Sequence, residues 1–130
     1  MCGIVGGTSN RNILPILVEG LRRLEYRGYD SAGVAYKSNG KISLVKNAGR
    51  VEDLADKLNL TKNKASIGIA HTRWATHGIP SEKNAHPHSS KNNIYVVHNG
   101  IIENHIALKE TLKKEGFKFS SQTDTEVISH

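Results

Sequence analysis

A mixed α/β chain, α+β in the way its strands and helices are interspersed, is predicted by three features of the sequence. Gly3 to Gly7 carries the β-branched pair Ile4-Val5 and reads as a buried strand. Leu14, Leu17, Val18, Leu21 and Leu24 fall at helical spacing and form one apolar stripe. Asn39-Gly40 lies between Val34-Ala35-Tyr36 and Ile42-Ser43-Leu44-Val45, a pattern that suits a two-residue hairpin turn.

The elements follow in order. Thr8 to Asn12 is a polar loop, and Asn12 can cap a helix from about Ile13 to Leu24, with Pro15 in the first turn where its missing N–H costs little. Arg27 to Gly33 is a glycine-punctuated loop before the hairpin. Val51, Leu54, Ala55 and Leu58 mark one face of a short helix over 51–58. Ala65 to Ala70 is the next strand, with Ile67 and Ile69 on one face. It opens into a polar segment from His71 to Asn93, long enough that a functional role is the natural reading. Ile94 to Val97 returns as a strand and ends at His98-Asn99-Gly100. A helix over about 104–115 stops at Gly116. Phe117-Lys118-Phe119-Ser120 alternates as a strand, and Thr123-Asp124-Thr125-Glu126 has the form of a capping box that opens a last helix. Because that helix has only just begun at His130, the chain is expected to be C-terminally truncated.

The 130 residues are enough for one core, and no apolar run approaches membrane-spanning length. The formal charge of +6 comes from scattered Lys and Arg, with no basic stripe interleaved with aromatics, so neither nucleic acid nor membrane is an expected partner. A single cysteine forms no internal disulfide, and a reactive thiol is best preserved in a reducing cytoplasm. There are seven histidines, but no pair at zinc-finger spacing and no His-Glu-x-x-His motif. No metal or cofactor is therefore expected.

The chemistry converges on Cys2. Removal of Met1 makes Cys2 the N-terminus and places a thiol and a free α-amine on one carbon. The amine can take the thiol proton, as a terminal threonine is activated by its own amine. Gly3 leaves room beside the sulfur, and the strand that follows is a rigid mount. The plainer reading is a small residue at a strand start, and the rest of the chain has to decide between the two.

Six ordered motifs decide it. Met1-Cys2-Gly3-Ile4-Val5-Gly6, Arg27-Gly28-Tyr29-Asp30-Ser31-Ala32-Gly33, His71-Thr72-Arg73-Trp74-Ala75-Thr76-His77-Gly78, Asn84-Ala85-His86-Pro87, His98-Asn99-Gly100-Ile101-Ile102-Glu103-Asn104 and Thr123-Asp124-Thr125-Glu126 closely resemble the class II, N-terminal-nucleophile glutamine amidotransferases. The Tyr29, Trp74 and His86 versions resemble the branch that aminates fructose 6-phosphate more than the amidophosphoribosyltransferases.

The resemblance implies a four-layer α/β/β/α sandwich of which residues 1–130 are the N-terminal part. It implies glutamine hydrolysis by Cys2, with Asn99 and Gly100 as oxyanion hole. Arg73 would take the α-carboxylate of glutamine and Asp124 its α-ammonium, while Trp74, Thr76, His77 and His86 would belong to a loop closing over the substrate. Arg27, with Tyr29, would line or brace the pocket. Ammonia would pass to a sugar-phosphate isomerase domain, absent here, in a protein expected to be a homodimer when intact. Two alternatives stay open: the glutaminase portion of another class II amidotransferase, and a non-catalytic fragment that needs a partner to fold.

Overall fold

The computed structural model describes residues 1–130 and organises them about a four-stranded antiparallel sheet. In chain order the elements are β1 (Gly3–Thr8), α1 (Leu14–Leu24), β2 (Ser31–Ser38), β3 (Lys41–Ala48), α2 (Val51–Leu58), β4 (Ile67–Arg73), β5 (His88–Ser90), β6 (Ile94–Val96), α3 (His105–Lys114) and α4 (Glu126–Ser129). The sheet runs β1-β4-β2-β3, and β5 and β6 form a separate antiparallel pair.

Strand residues alternate between faces, so the register assigns each side chain to a layer. Val34 lies opposite both Val45 and Ala70, and Ala70 lies opposite Val5, which places these four on one face. The stripe of α1 and the apolar face of α2 pack there. Leu14, Leu17, Val18, Leu21, Val51, Leu54 and Leu58 are fully buried against Val34 and Ala70. Asn39 and Gly40 take φ of 51° and 77°, as the hairpin between β2 and β3 requires.

On the other face Gly33 pairs with His71 and Lys46, and Ser31 pairs with Arg73. Residues 84–99 lie over this end of the sheet. A Cβ at Gly33 would stand 2.0 Å from the carbonyl oxygen of His86, so only glycine lets the layer approach this closely.

Several boundaries differ from the sequence expectation. β4 continues through His71, Thr72 and Arg73, and β5 lies inside the predicted polar segment, so the irregular connection shrinks to residues 74–87. Polar side chains read as loop, yet here they are strand residues, His71 and Thr72 paired on both sides by β1 and β2 and Arg73 by β2. Ile67 and Ile69 do share a face, but it is the one turned away from the helices, and Ile67 is exposed. Asn12 Oδ1 does accept the Leu14 N–H (3.3 Å), while also accepting that of Ala65 (2.9 Å).

Phe117 to Ser120 forms no strand, because no neighbouring strand pairs with it. The N–H groups of Ser120 and Ser121 instead donate to the Glu126 carboxylate, each at 2.8 Å. The expected capping box is therefore absent. Glu126 reaches past Thr123 to those two amides, and Thr123 Oγ1 turns to His88 Nε2 (2.8 Å) and Ser121 Oγ (2.9 Å). Asp124 accordingly precedes α4 instead of sitting in its first turn.

Candidate functional site

The N-terminal end of β1, the C-terminal end of β4 and the turn after β6 meet at one end of the sheet. They border a cavity of about 420 Å³ with residues 123–125. Of the residues to which the sequence assigned a catalytic or binding role, Cys2, Asn99 and Gly100, with Arg73 and Asp124, then Arg27, Trp74, Thr76, His77 and His86, lie on its wall. Tyr29 does not. Its ring lies 4.5 Å beneath the Arg50 guanidinium, in a neighbouring depression that it shares with Trp74.

Cys2 precedes β1 and its side chain meets the first peptide of the 74–87 connection. The Trp74 N–H donates to Sγ at 3.2 Å, and Sγ faces the Trp74 carbonyl oxygen at 3.6 Å. Met1 projects outward, 74% exposed. Its ammonium donates to the Arg27 carbonyl oxygen, and its sulfur lies 3.8 Å from Arg27 Nη2. Asn99 Nδ2 donates to the Cys2 carbonyl oxygen at 3.1 Å, bringing the side-chain amide beside Cys2 from a turn far along the chain. Gly100 follows at φ 153°, where a Cβ would stand 2.8 Å from His98 Nε2.

Arg73 ends β4 with only 3% of its surface exposed, and its charge is distributed over the loop it begins. Nη1 donates to the Ile79 carbonyl (3.1 Å), while Nη2 donates to those of Gly78 (3.0 Å) and His77. Asp30 stands across from it, 3.6 Å from Nη1, and accepts the Ala75 N–H. The loop is thus folded around a buried Arg–Asp pair. Asn84 ties its far end to residue 122 through Gln122 N (2.8 Å) and Gln122 Oε1 (3.0 Å). Asp124, equally buried, uses Oδ2 to accept the Ile102 N–H (2.7 Å), and its Oδ1 faces the cavity 3.9 Å from His77 Nδ1.

A layer of buried histidines adjoins the cavity and reaches its wall through His86. His71 and His86 stack at 4.0 Å, and His88 meets His86 edge-on at 4.6 Å. Burial holds all three imidazoles neutral. It pushes His71 down to about 4, with hydrogen bonding to Asn99 opposing, and His88 down to about 3, with Lys46 adding to the effect. His86 is lowered further still, by burial and then by its histidine neighbours. Burial also lowers the Lys46 ammonium to about 8, although Glu126 and Glu82 favour its charge. Glu126 goes the other way. Burial raises its carboxyl, but hydrogen bonds from Ser121 and Ser120 outweigh that and leave it below the usual carboxylate range.

Sequence reasoning assigned no role to His71, although it quoted the residue within a motif. His71 Nε2 lies 2.8 Å from Asn99 Oδ1. Nor did it single out Asp30 or His98, the latter on the cavity wall. Only the placement of His71 on the same face as Gly33 could have revealed it, and that required the strand to extend beyond Ala70. No group of three His, Cys, Asp or Glu side chains is arranged to hold a metal ion.

With this geometry in hand, comparison with known proteins is direct. The family described as "Glutamine amidotransferase domain" matches residues 50–130. Glutamine–fructose-6-phosphate aminotransferase (isomerizing) of Shewanella oneidensis is 61% identical over 130 residues, all of this chain and 21% of the relative. The Pseudomonas aeruginosa protein of the same name is 60% identical over 131 residues, again 21% of its length. The chain therefore spans about a fifth of the curated relatives it matches. Among solved structures, the glutamine phosphoribosylpyrophosphate amidotransferase from B. subtilis aligns with a TM-score of 0.79 at 30% identity, over 99% of this chain and 28% of that one. An allosteric regulatory enzyme of purine biosynthesis aligns at 0.81 and 32%, over 98% and 29%.

Proposed function

The chain belongs to the glutamine amidotransferase family, and from that premise we propose that it forms the N-terminal part of a glutaminase unit whose nucleophile is Cys2. The observation that carries the reading is the meeting of Cys2, Asn99, Gly100, Arg73 and Asp124 around one cavity from four separate stretches of sequence. Met1, exposed at the rim, is open to removal, and its loss frees the Cys2 amine.

The Cys2 thiolate adds to the side-chain carboxamide carbon of glutamine. The resulting oxyanion takes hydrogen bonds from the second Asn99 Nδ2–H and from the Gly100 N–H. The α-ammonium of Cys2 donates a proton to departing ammonia, and water cleaves the γ-glutamyl thioester to glutamate. The free Oδ1 of Asp124 suits the α-ammonium of the substrate. Its α-carboxylate competes with the loop carbonyls for the Arg73 guanidinium, so substrate entry and loop arrangement are linked.

Identity near 60% to glutamine–fructose-6-phosphate aminotransferases, against 30% to the aligned glutamine phosphoribosylpyrophosphate amidotransferase, favours fructose 6-phosphate as acceptor of the ammonia in the intact protein. The amination then falls to a sugar-phosphate isomerase domain beyond these residues, in a homodimer. No helix is long and apolar enough to cross a membrane, and a free catalytic thiol suits the reducing cytoplasm.

The test combines mass spectrometry of the N-terminus with a glutamine-mimicking diazoketone on the intact protein. Loss of Met1 and stoichiometric label on Cys2 are expected. A retained Met1, or label on another residue, overturns the reading.

A further inference from the structure

Asn99 is useful as an oxyanion donor only if its NH2, and not its oxygen, faces the nucleophile. A side-chain amide can rotate between the two orientations, and something must choose. The Cys2 carbonyl oxygen, 3.1 Å away, can only accept, so the atom of Asn99 facing it is Nδ2. Oδ1 must then face His71 Nε2 at 2.8 Å, and two lone pairs cannot share that distance. The proton of the His71 ring is therefore on Nε2.

The other nitrogen agrees. His71 Nδ1 is buried with no hydrogen-bond partner, so a proton there would be an orphaned donor opposite a second mismatch at Asn99. Stacking on His86, at an interplanar angle of 11°, holds the plane of the ring. His86 Nδ1 in turn accepts the His98 N–H at 3.4 Å. Two stacked imidazoles thus hold two consecutive residues, 98 and 99, and each is restrained to one tautomer by what it holds.

We propose that His71 is a positioning residue for glutamine hydrolysis: its Nε2–H fixes the Asn99 amide with NH2 toward the oxyanion. This rests on the glutaminase reading above. It calls for a fixed donor in the His71 position and not for charge. Gln, whose amide nitrogen reaches about as far as Nε2, can supply that donor; Asn, whose nitrogen falls nearer the Nδ1 position, cannot.

The test is steady-state glutaminase kinetics on the intact protein with His71→Gln and His71→Asn, together with 15N NMR of the histidine rings in the unsubstituted protein. His71→Gln should keep kcat within about 5-fold, and His71→Asn should lose about 10- to 100-fold in kcat with KM within about 3-fold, as expected for a misaligned oxyanion donor. NMR should show His71 protonated at Nε2 and bare at Nδ1. Equal losses in the two variants, a change confined to KM, or unchanged kcat in both overturns the proposal. So does a proton on Nδ1, whether or not the protein hydrolyses glutamine. If the protein lacks glutaminase activity while Nε2 carries the proton, the functional reading fails and the hydrogen-bond assignment stands.

Discussion

The two faces of the four-stranded sheet are held by different physics. Against the helices, Leu14, Leu17, Leu21, Leu54 and Leu58 pack on Val34 and Ala70 in a cluster that is almost wholly apolar, with the buried Thr72 hydroxyl at its edge. Against residues 84–99, the same strands present Ser31, His71, Arg73 and Lys46, and the covering layer answers with His86, His88 and Asn84. The first face is non-directional and gains from area alone. The second depends on angles and partners, and each of its groups is costly if left unpaired. The division separates two roles: the helical face buries the apolar core, and the polar face meets the cavity through Arg73 and His86.

That contrast can be broken from either side. Leu54→Ala opens a cavity in the helical core and should lower unfolding stability by about 2–5 kcal/mol, with kcat and KM of the folded fraction unchanged. Calorimetry beside kinetics checks it, and a matching fall in kcat would show that the faces are coupled. Asn99→Ala should do the reverse. It should cost about 100- to 1,000-fold in glutamine turnover, yet only about 1 kcal/mol in stability, because Asn99 lies at an open rim where water can replace it.

Acid should act chiefly on the polar face. His71 binds its proton at about 4 when folded and near 6.5 when unfolded, so between those values the unfolded chain holds more protons and stability falls as pH falls. His71 alone accounts for a loss on the order of 3 kcal/mol across that window. Glu126, depressed when folded, adds loss in the same direction as pH drops through the carboxylate range. Denaturant titrations from pH 7 to 4 measure this, and Leu54→Ala should show a parallel curve. The smallest effect is expected where neither face is involved. Glu19 pairs with Arg23 at 3.3 Å on exposed helix surface, and Glu19→Ala should change stability by less than about 0.5 kcal/mol and turnover not at all.

The two faces were also unequally legible in the sequence. The helical face announced itself through Leu14, Leu17, Val18 and Leu21 at regular spacing, and through Asn39-Gly40, because apolar periodicity and turn chemistry are local signals. The cavity residues were legible through six ordered motifs. The polar face between them was not. His71 and Arg73, with Thr72 between them turned to the other face, have the composition of a loop and the position of a central strand, and only pairing with the neighbouring strands makes them one. Phe117 to Ser120 failed in the opposite way: it alternates as a strand does, but its amides at Ser120 and Ser121 are taken by Glu126. Local pattern cannot report a partner that is distant in sequence.

Trp74 serves the site twice, through one peptide and one ring. Its N–H touches the sulfur of Cys2, and its indole, 55% exposed, stands on the cavity wall. The ring and the amide share a single Cα, so a shift of residue 74 that moves the indole also moves the N–H that meets the Cys2 sulfur.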